Sequence, residues 1–124
     1  MIFVDTSIWI DHLRDGDAQL ASLLQAGQVL AHPCVTGELA LGHLSRRSEI
    51  LGLLRNLPQA KSATDIEVLA LIDGHQLFGV GMGYVDAHLL AATMLTANAR
   101  LWTRDKGLAA VADALAGHVM TVSS

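Results

Sequence analysis

Four acidic residues stand where chemistry can be built: Asp5 directly after Ile2-Phe3-Val4, Glu38 shortly after Thr36, Asp86 at the head of an Ala- and Leu-rich stretch, and Asp105 after Leu101-Trp102-Thr103. Singly, each has an ordinary use. Asp5 and Asp105 suit a helix cap, and a carboxylate such as Glu38 in a first helical turn gains roughly 0.3 to 1 kcal/mol from the helix dipole. Asp86 is harder to dismiss, because it opens the most apolar helix of the chain, with Leu89 and Leu90 one turn above it. Burying an unpaired carboxylate is costly, so a cation or a hydrogen-bond partner is implied.

Together the four carry more weight. All fall at predicted helix N-termini, and in a parallel α/β sheet those N-termini share one edge with the carboxyl ends of the strands. Converging carboxylates repel and raise one another's pKa unless a cation neutralises them, and hard oxygen ligands suit Mg²⁺ or Mn²⁺. Asp5, Glu38, Asp86 and Asp105 are therefore the candidate metal-binding and catalytic residues. Thr6, Ser7 and Thr103 place hydroxyls beside Asp5 and Asp105, able to orient a carboxylate or a water, although capping is the commoner fate of such residues.

The remaining acids, including Asp11, Asp15, Asp17, Glu49, Asp65, Glu67, Asp73 and Asp113, fit solvated helix faces, ends and turns. No histidine pair has the spacing of a helical zinc motif such as H-E-x-x-H, and Gly79-Val80-Gly81-Met82-Gly83 is a turn without a dinucleotide or P-loop pattern. Arg46, Arg47, Arg55, Arg100, Arg104 and Lys106 are the candidate phosphate contacts, Arg104 and Lys106 foremost because they flank Asp105. The ordinary reading of each is an exposed charge.

The elements that must position these residues alternate. Ile2–Val4 is a short β-prone run, followed by helices from about Ser7 and from about Asp17, the second ended by Gly27. Residues 28–31 form a second strand, with a helix from near Thr36 and another over Arg47–Leu57, stopped by Pro58. A weak strand falls near Ala60, and Thr64 caps a helix starting at Asp65. A long helix over Val85–Ala99 precedes strand Arg100–Thr103, a helix opened by Asp105, and a final strand over His118–Val122. The pattern predicts an α/β fold: a doubly wound parallel sheet of about five strands with helices on both faces.

A chain of 124 residues suits one domain, 1–124, and its 52% apolar and 16% charged composition excludes a disordered chain. The excess of apolar surface predicts an oligomer or complex. Leu20, Leu23, Leu24, Leu41 and Leu44 could line a groove for an amphipathic partner helix, or simply be core. Without an 18-residue apolar run or a basic leader, neither a membrane span nor a signal peptide is expected, and the protein should be cytoplasmic. Cys34, the single cysteine, leaves no internal disulfide and reads as a small buried hydrophobe. The formal charge of -4 argues against a nucleic-acid partner, but two divalent cations on the four carboxylates would cancel it.

Met1-Ile2-Phe3-Val4-Asp5-Thr6-Ser7-Ile8-Trp9-Ile10 resembles the opening of PIN domains, especially VapC-type toxins of toxin–antitoxin pairs. Gly37-Glu38-Leu39, Asp86-Ala87-His88-Leu89-Leu90-Ala91-Ala92 and Leu101-Trp102-Thr103-Arg104-Asp105-Lys106 resemble the family's later acidic motifs, in order and along essentially the whole chain. The resemblance implies a PIN-like fold and an endoribonuclease dependent on Mg²⁺ or Mn²⁺, with one or two ions per site. It further implies a structured RNA substrate such as tRNA or rRNA, inhibition by a cognate antitoxin, a homodimer, and contact with operator DNA only through the antitoxin complex.

Other readings compete. A D-x-D phosphohydrolase fails because Ser7 stands where its second aspartate is required, and a phosphoacceptor receiver would want an acidic pair after strand one. The serious alternative is a catalytically silent module that keeps the fold and acts through a partner in a DNA-binding regulatory complex.

Overall fold

A computed structural model describes residues 1–115, and the chain begins with strand β1 (Ile2–Val4), whose Phe3 and Val4 are fully buried. Asp5 then caps helix α1 (Thr6–Asp15), its carboxylate accepting from the Thr6 N–H. Gly16, at φ 78°, takes the left-handed backbone that turns the chain out of α1, and Asp17 caps α2 (Ala18–Gln25) by accepting from the Leu20 N–H. Strand β2 (Val29–Leu30) pairs parallel with β1, and β3 (Arg100–Trp102) pairs parallel with its other edge, giving the order β2-β1-β3. The right-handed rule for parallel crossovers puts the β1-to-β2 and β2-to-β3 connections on opposite faces of the sheet.

The long return from β2 to β3 holds four helices: α3 (Pro33–Leu41), α4 (Arg47–Asn56), α5 (Asp65–Gly74) and α6 (Tyr84–Leu95). Helix α7 (Lys106–Ala114) follows β3 and is capped by Asp105. The α5 cap is a full capping box, with Thr64 and Glu67 each satisfying the other's backbone N–H. Trp9, Phe3, Ile8, Leu20, Leu54, Leu89, Leu90 and Leu101 form the bulk of the core, so helices and sheet share one buried cluster. None of the described helices is long and apolar enough to cross a membrane.

Of the five or so strands expected over the whole chain, the sheet has three among the described residues. The weak strand near Ala60 is reduced to a single parallel bridge, Ala31 with Gln59, held by Ala31 N–H to Pro58 O and Ala60 N–H to Ala31 O. Pro58, lacking an N–H, and the brief extended stretch after α4 leave no room for a longer ladder. The strand expected at 118–122 lies outside the described residues.

Helix α3 starts earlier than Thr36 because Pro33 occupies its first turn and His32 caps it, the imidazole Nδ1 accepting from the Cys34 N–H at 3.0 Å. Helix α6 also ends earlier than Ala99, at Leu95, where Thr96 leaves helical backbone.

Candidate active site

Asp5 is buried, 8% exposed, at the carboxyl end of the central strand, and its backbone N–H still belongs to the ladder, donating to Trp102 O at 3.0 Å. Its carboxylate is surrounded by donors. Oδ1 accepts from the Thr6 N–H at 2.7 Å, and Oδ2 accepts from Thr103 Oγ1 at 2.7 Å and Ser7 Oγ at 3.3 Å. These bonds fix the direction of the carboxylate.

The same two hydroxyls reach to the neighbouring segment. Thr103 Oγ1 accepts from the Asp105 N–H at 3.1 Å, and Ser7 Oγ accepts from the Arg104 N–H at 3.3 Å. Residues 103–105 are thus stitched to residues 5–7, each hydroxyl donating its one proton to Asp5 and taking one N–H in return. Asp105 in turn caps α7 through Leu108 N–H to Oδ1 at 3.1 Å.

Glu38 arrives from α3, and Thr6 Oγ1 donates to its Oε1 at 2.7 Å. Glu38 is the sixth residue of α3 rather than a first-turn residue, because the Pro33 start moves the N-terminus back. It reaches the strand-end edge from one turn inside its helix. Asp86 is the third residue of α6. Its carboxyl is pushed above the ordinary range, first by burial and then by the negative charges of Asp5, Asp105 and Glu38, with the Gly83 N–H acting in the opposite sense.

Asp5, Glu38 and Asp105 therefore all act electrostatically on Asp86. Among the described residues, however, no three His, Cys, Asp or Glu side chains stand together as a ready cation cage. Like charges repel, and hydroxyls already hold Asp5 and Glu38. The donor set is all oxygen, which suits Mg²⁺ or Mn²⁺ and does not suit a soft metal. Mg²⁺ binds through few carboxylates and retains waters, so a loose cluster fits it better than a closed cage would.

The first turn of α6 has a support that the sequence reading did not single out. Asp65, at the head of α5, accepts from Tyr84 OH at 2.8 Å and pairs with His88 Nε2 at 3.1 Å. Tyr84 foremost, and then His88, hold its carboxyl below the usual range. Tyr84 and His88 are four apart on α6, which puts them on one face, with Asp86 between them on the other. Only the i, i+4 spacing on α6 hints at this pair; its partner Asp65 is distant in sequence.

Other expectations change in detail. Asp11, read as solvated, binds Arg104 and also Arg14 at 3.0 Å. Asp17 is a cap, and Glu67 belongs to the α5 capping box. Of the cations, Arg104 is engaged by Asp11 and Asp17, Arg46 lies 4.0 Å from Glu49, Arg47 opens α4, and Lys106 is the exposed first residue of α7. Cys34 is partly buried, and burial, with the charge of Glu38, pushes its thiol pKa up.

Two hollows adjoin the acids. A groove of about 700 Å³ runs between α1, α3 and the start of α4, lined by Ile10, Leu13, Leu39, Leu44 and Ile50, with Glu38 at its border. A cleft of about 80 Å³ is bounded by Asp86 and Asp105 and walled by Val80, Met82, Leu108 and Val111. Of the five leucines considered for a partner groove, Leu44 lines the large one. Leu20 is core, Leu23 and Leu24 pack against the core, and Leu41 is 91% exposed.

A parallel α/β domain whose strand-end carboxylates gather around Asp86 is an arrangement suited to a phosphodiester-cleaving enzyme. No family model matches the chain. Among curated proteins, ribonuclease VapC32 of Mycobacterium tuberculosis, in strain CDC 1551 / Oshkosh and in strain ATCC 25618 / H37Rv, is 51% identical over 110 residues, spanning 89% of this chain and 89% of the relative. The chain belongs to the VapC family of PIN-domain endoribonucleases.

Proposed function

We propose that this protein is the toxin of a type II toxin–antitoxin pair, an endoribonuclease that requires Mg²⁺ or Mn²⁺ and cleaves a structured RNA such as tRNA or rRNA. The observation that carries the reading is the gathering of Asp5, Glu38 and Asp105 close enough to Asp86, at the carboxyl edge of the sheet, for their charges to act on it. These four residues would hold one or two cations, the metal ligands and catalytic groups of the site. A bound cation supplies activation of a water and neutralisation of the scissile phosphate.

The chain's own residues prepare the site for that role. Thr103 and Ser7 aim the Asp5 carboxylate, while Thr6 holds Glu38. The neighbouring charges and burial disfavour the ionised Asp86 carboxylate, and an arriving cation would favour it. Lys106, exposed beside Asp105, Arg46 at the large groove and Arg47 at the head of α4 are suited to RNA phosphates.

The groove beside Glu38 is apolar where Ile10, Leu13, Leu39, Leu44 and Ile50 line it, and it has the size to take the amphipathic segment of a cognate antitoxin. Such a segment would cover the approach to Glu38. Exposed Ile66, Leu69, Phe78 and Val80 on and after α5 supply apolar surface for a homodimer. Operator DNA is contacted only through the antitoxin complex, in keeping with the chain's charge of -4.

The reading is tested by incubating the purified protein with tRNA and rRNA fractions in Mg²⁺, in Mn²⁺ and in chelator. Discrete fragments that need the cation are expected. A folded protein that leaves both fractions intact with either cation would favour the silent binding module instead.

A further inference from the structure

Arg104 lies between Thr103 and Asp105, where a phosphate contact would be convenient, yet its side chain turns the other way. Its backbone N–H is bound to Ser7 Oγ at 3.3 Å, and its guanidinium runs along α1, with Nε on the carboxylate of Asp11. The second nitrogen, Nη2, lies 3.9 Å from Asp17 Oδ2. Asp11 is one helical turn beyond Ser7, and Asp17 is itself fixed as the α2 cap through Leu20 N–H to Oδ1 at 2.9 Å. The guanidinium therefore lies between two acids, one on α1 and one at the head of α2, outside its own loop.

A phosphate would have to compete with Asp11 for Nε, although the side chain stays about half exposed, 51%. Lys106, exposed on the opposite side of Asp105, meets no such competition from Asp11 or Asp17. An exposed ion pair contributes little to global stability, but a planar fork spanning two carboxylates fixes direction well. The element so fixed carries Asp105 and the Thr103 hydroxyl that aims Asp5.

We propose that Arg104 is a positioning residue, a latch that holds the Thr103–Asp105 segment against α1 through Asp11 and Asp17, and is not a phosphate contact. The inference rests on the nuclease reading above. It makes Asp11, far from the carboxylates in role, a determinant of cation binding, and it predicts that the Arg104–Asp11 pair acts as one unit.

The test uses the full chain as Arg104→Gln, Asp11→Asn, the double variant, and Arg14→Gln as a control that removes the other partner of Asp11. Mg²⁺ affinity is measured by titration calorimetry, and cleavage of total cellular RNA gives kcat and an apparent KM. The latch predicts weaker Mg²⁺ binding and a fall in kcat of about tenfold in either single variant, with apparent KM within about twofold of wild type. The double variant should be no worse than either single one, and Arg14→Gln should match wild type.

A phosphate contact gives the opposite pattern and overturns the proposal. Arg104→Gln would then raise KM and flatten its salt dependence, while Asp11→Asn, by releasing the guanidinium, would lower KM. Wild-type behaviour in all variants would equally overturn it, leaving a solvated surface pair. If wild type binds Mg²⁺ but cuts no RNA, the nuclease reading fails separately, and the Mg²⁺ affinities of the variants still decide for or against the latch.

Discussion

Replacing Thr103 by Val removes one hydroxyl and almost no volume, so its effect is confined to two hydrogen bonds. One is the 2.7 Å bond donated to Asp5 Oδ2, and the other is the 3.1 Å bond accepted from the Asp105 N–H. A hydrogen bond to a charged group contributes about 1.5 to 3 kcal/mol. The lower end applies here, because Thr103 is half-buried and Asp5 keeps the Ser7 hydroxyl and the Thr6 N–H. The Asp105 N–H is exposed enough for water to replace its partner.

The expected loss is thus about 1.5 kcal/mol, which for a domain of this size lowers Tm by about 6 °C. Thermal and urea denaturation at neutral pH without divalent cation would measure it. Thr103→Ser, which restores the hydroxyl, should recover most of the difference. The reasoning is refuted if the valine variant is as stable as wild type, or if the serine variant falls as far, since methyl packing would then account for the loss.

Asp86 holds its proton to a higher pH in the fold than in the unfolded chain, so the metal-free protein loses stability as pH rises through that window. Asp86→Asn should therefore be at least as stable as wild type at pH 7 without cation, the advantage shrinking toward acid, and Mg²⁺ should raise the Tm of wild type only; a less stable asparagine variant at pH 7 counts against the account. Burial lowers the pKa of His32, so its neutral form caps α3 and the unfolded chain takes up the proton first. That contribution is present above the ordinary histidine pKa of 6.5 and is lost as pH falls through the lower folded value. Urea denaturation between pH 7 and 5 should show a smaller loss in His32→Asn, which keeps a capping acceptor, than in wild type. Leu89→Ala, fully buried on α6, should cost about 3 kcal/mol by the same method, and near-neutrality would mean that α6 is not packed as described.

Three of the carboxylates were legible in the sequence because each follows a punctuation mark: a short β-prone run before Asp5 and Asp105, and a glycine cluster before the helix of Asp86. Caps obey local rules, so Asp5, Asp17, Thr64 and Asp105 fall where side-chain chemistry puts them. Glu38 was placed at the right edge for an inexact reason. His32 is an unusual cap, and reading Thr36 as the start shifted α3 by one turn. The strand near Ala60 failed because pairing is not local: β-prone residues do not reveal that Pro58 and a short stretch permit only one bridge. Arg104 beside Asp105 looked available to a phosphate, since nothing in one dimension shows Asp11 and Asp17 folding back onto it.

The central claim, that four carboxylates at the sheet edge cut RNA with a divalent cation, is most directly tested on one substrate and two proteins. Partner-free wild type and Asp5→Asn, both verified as folded, are incubated with total cellular RNA in Mg²⁺ and in chelator, and the new 5′ ends are mapped. The account predicts discrete ends for wild type in Mg²⁺ only, and none for Asp5→Asn. Equal cutting by both proteins, or cutting undiminished by chelator, would contradict it.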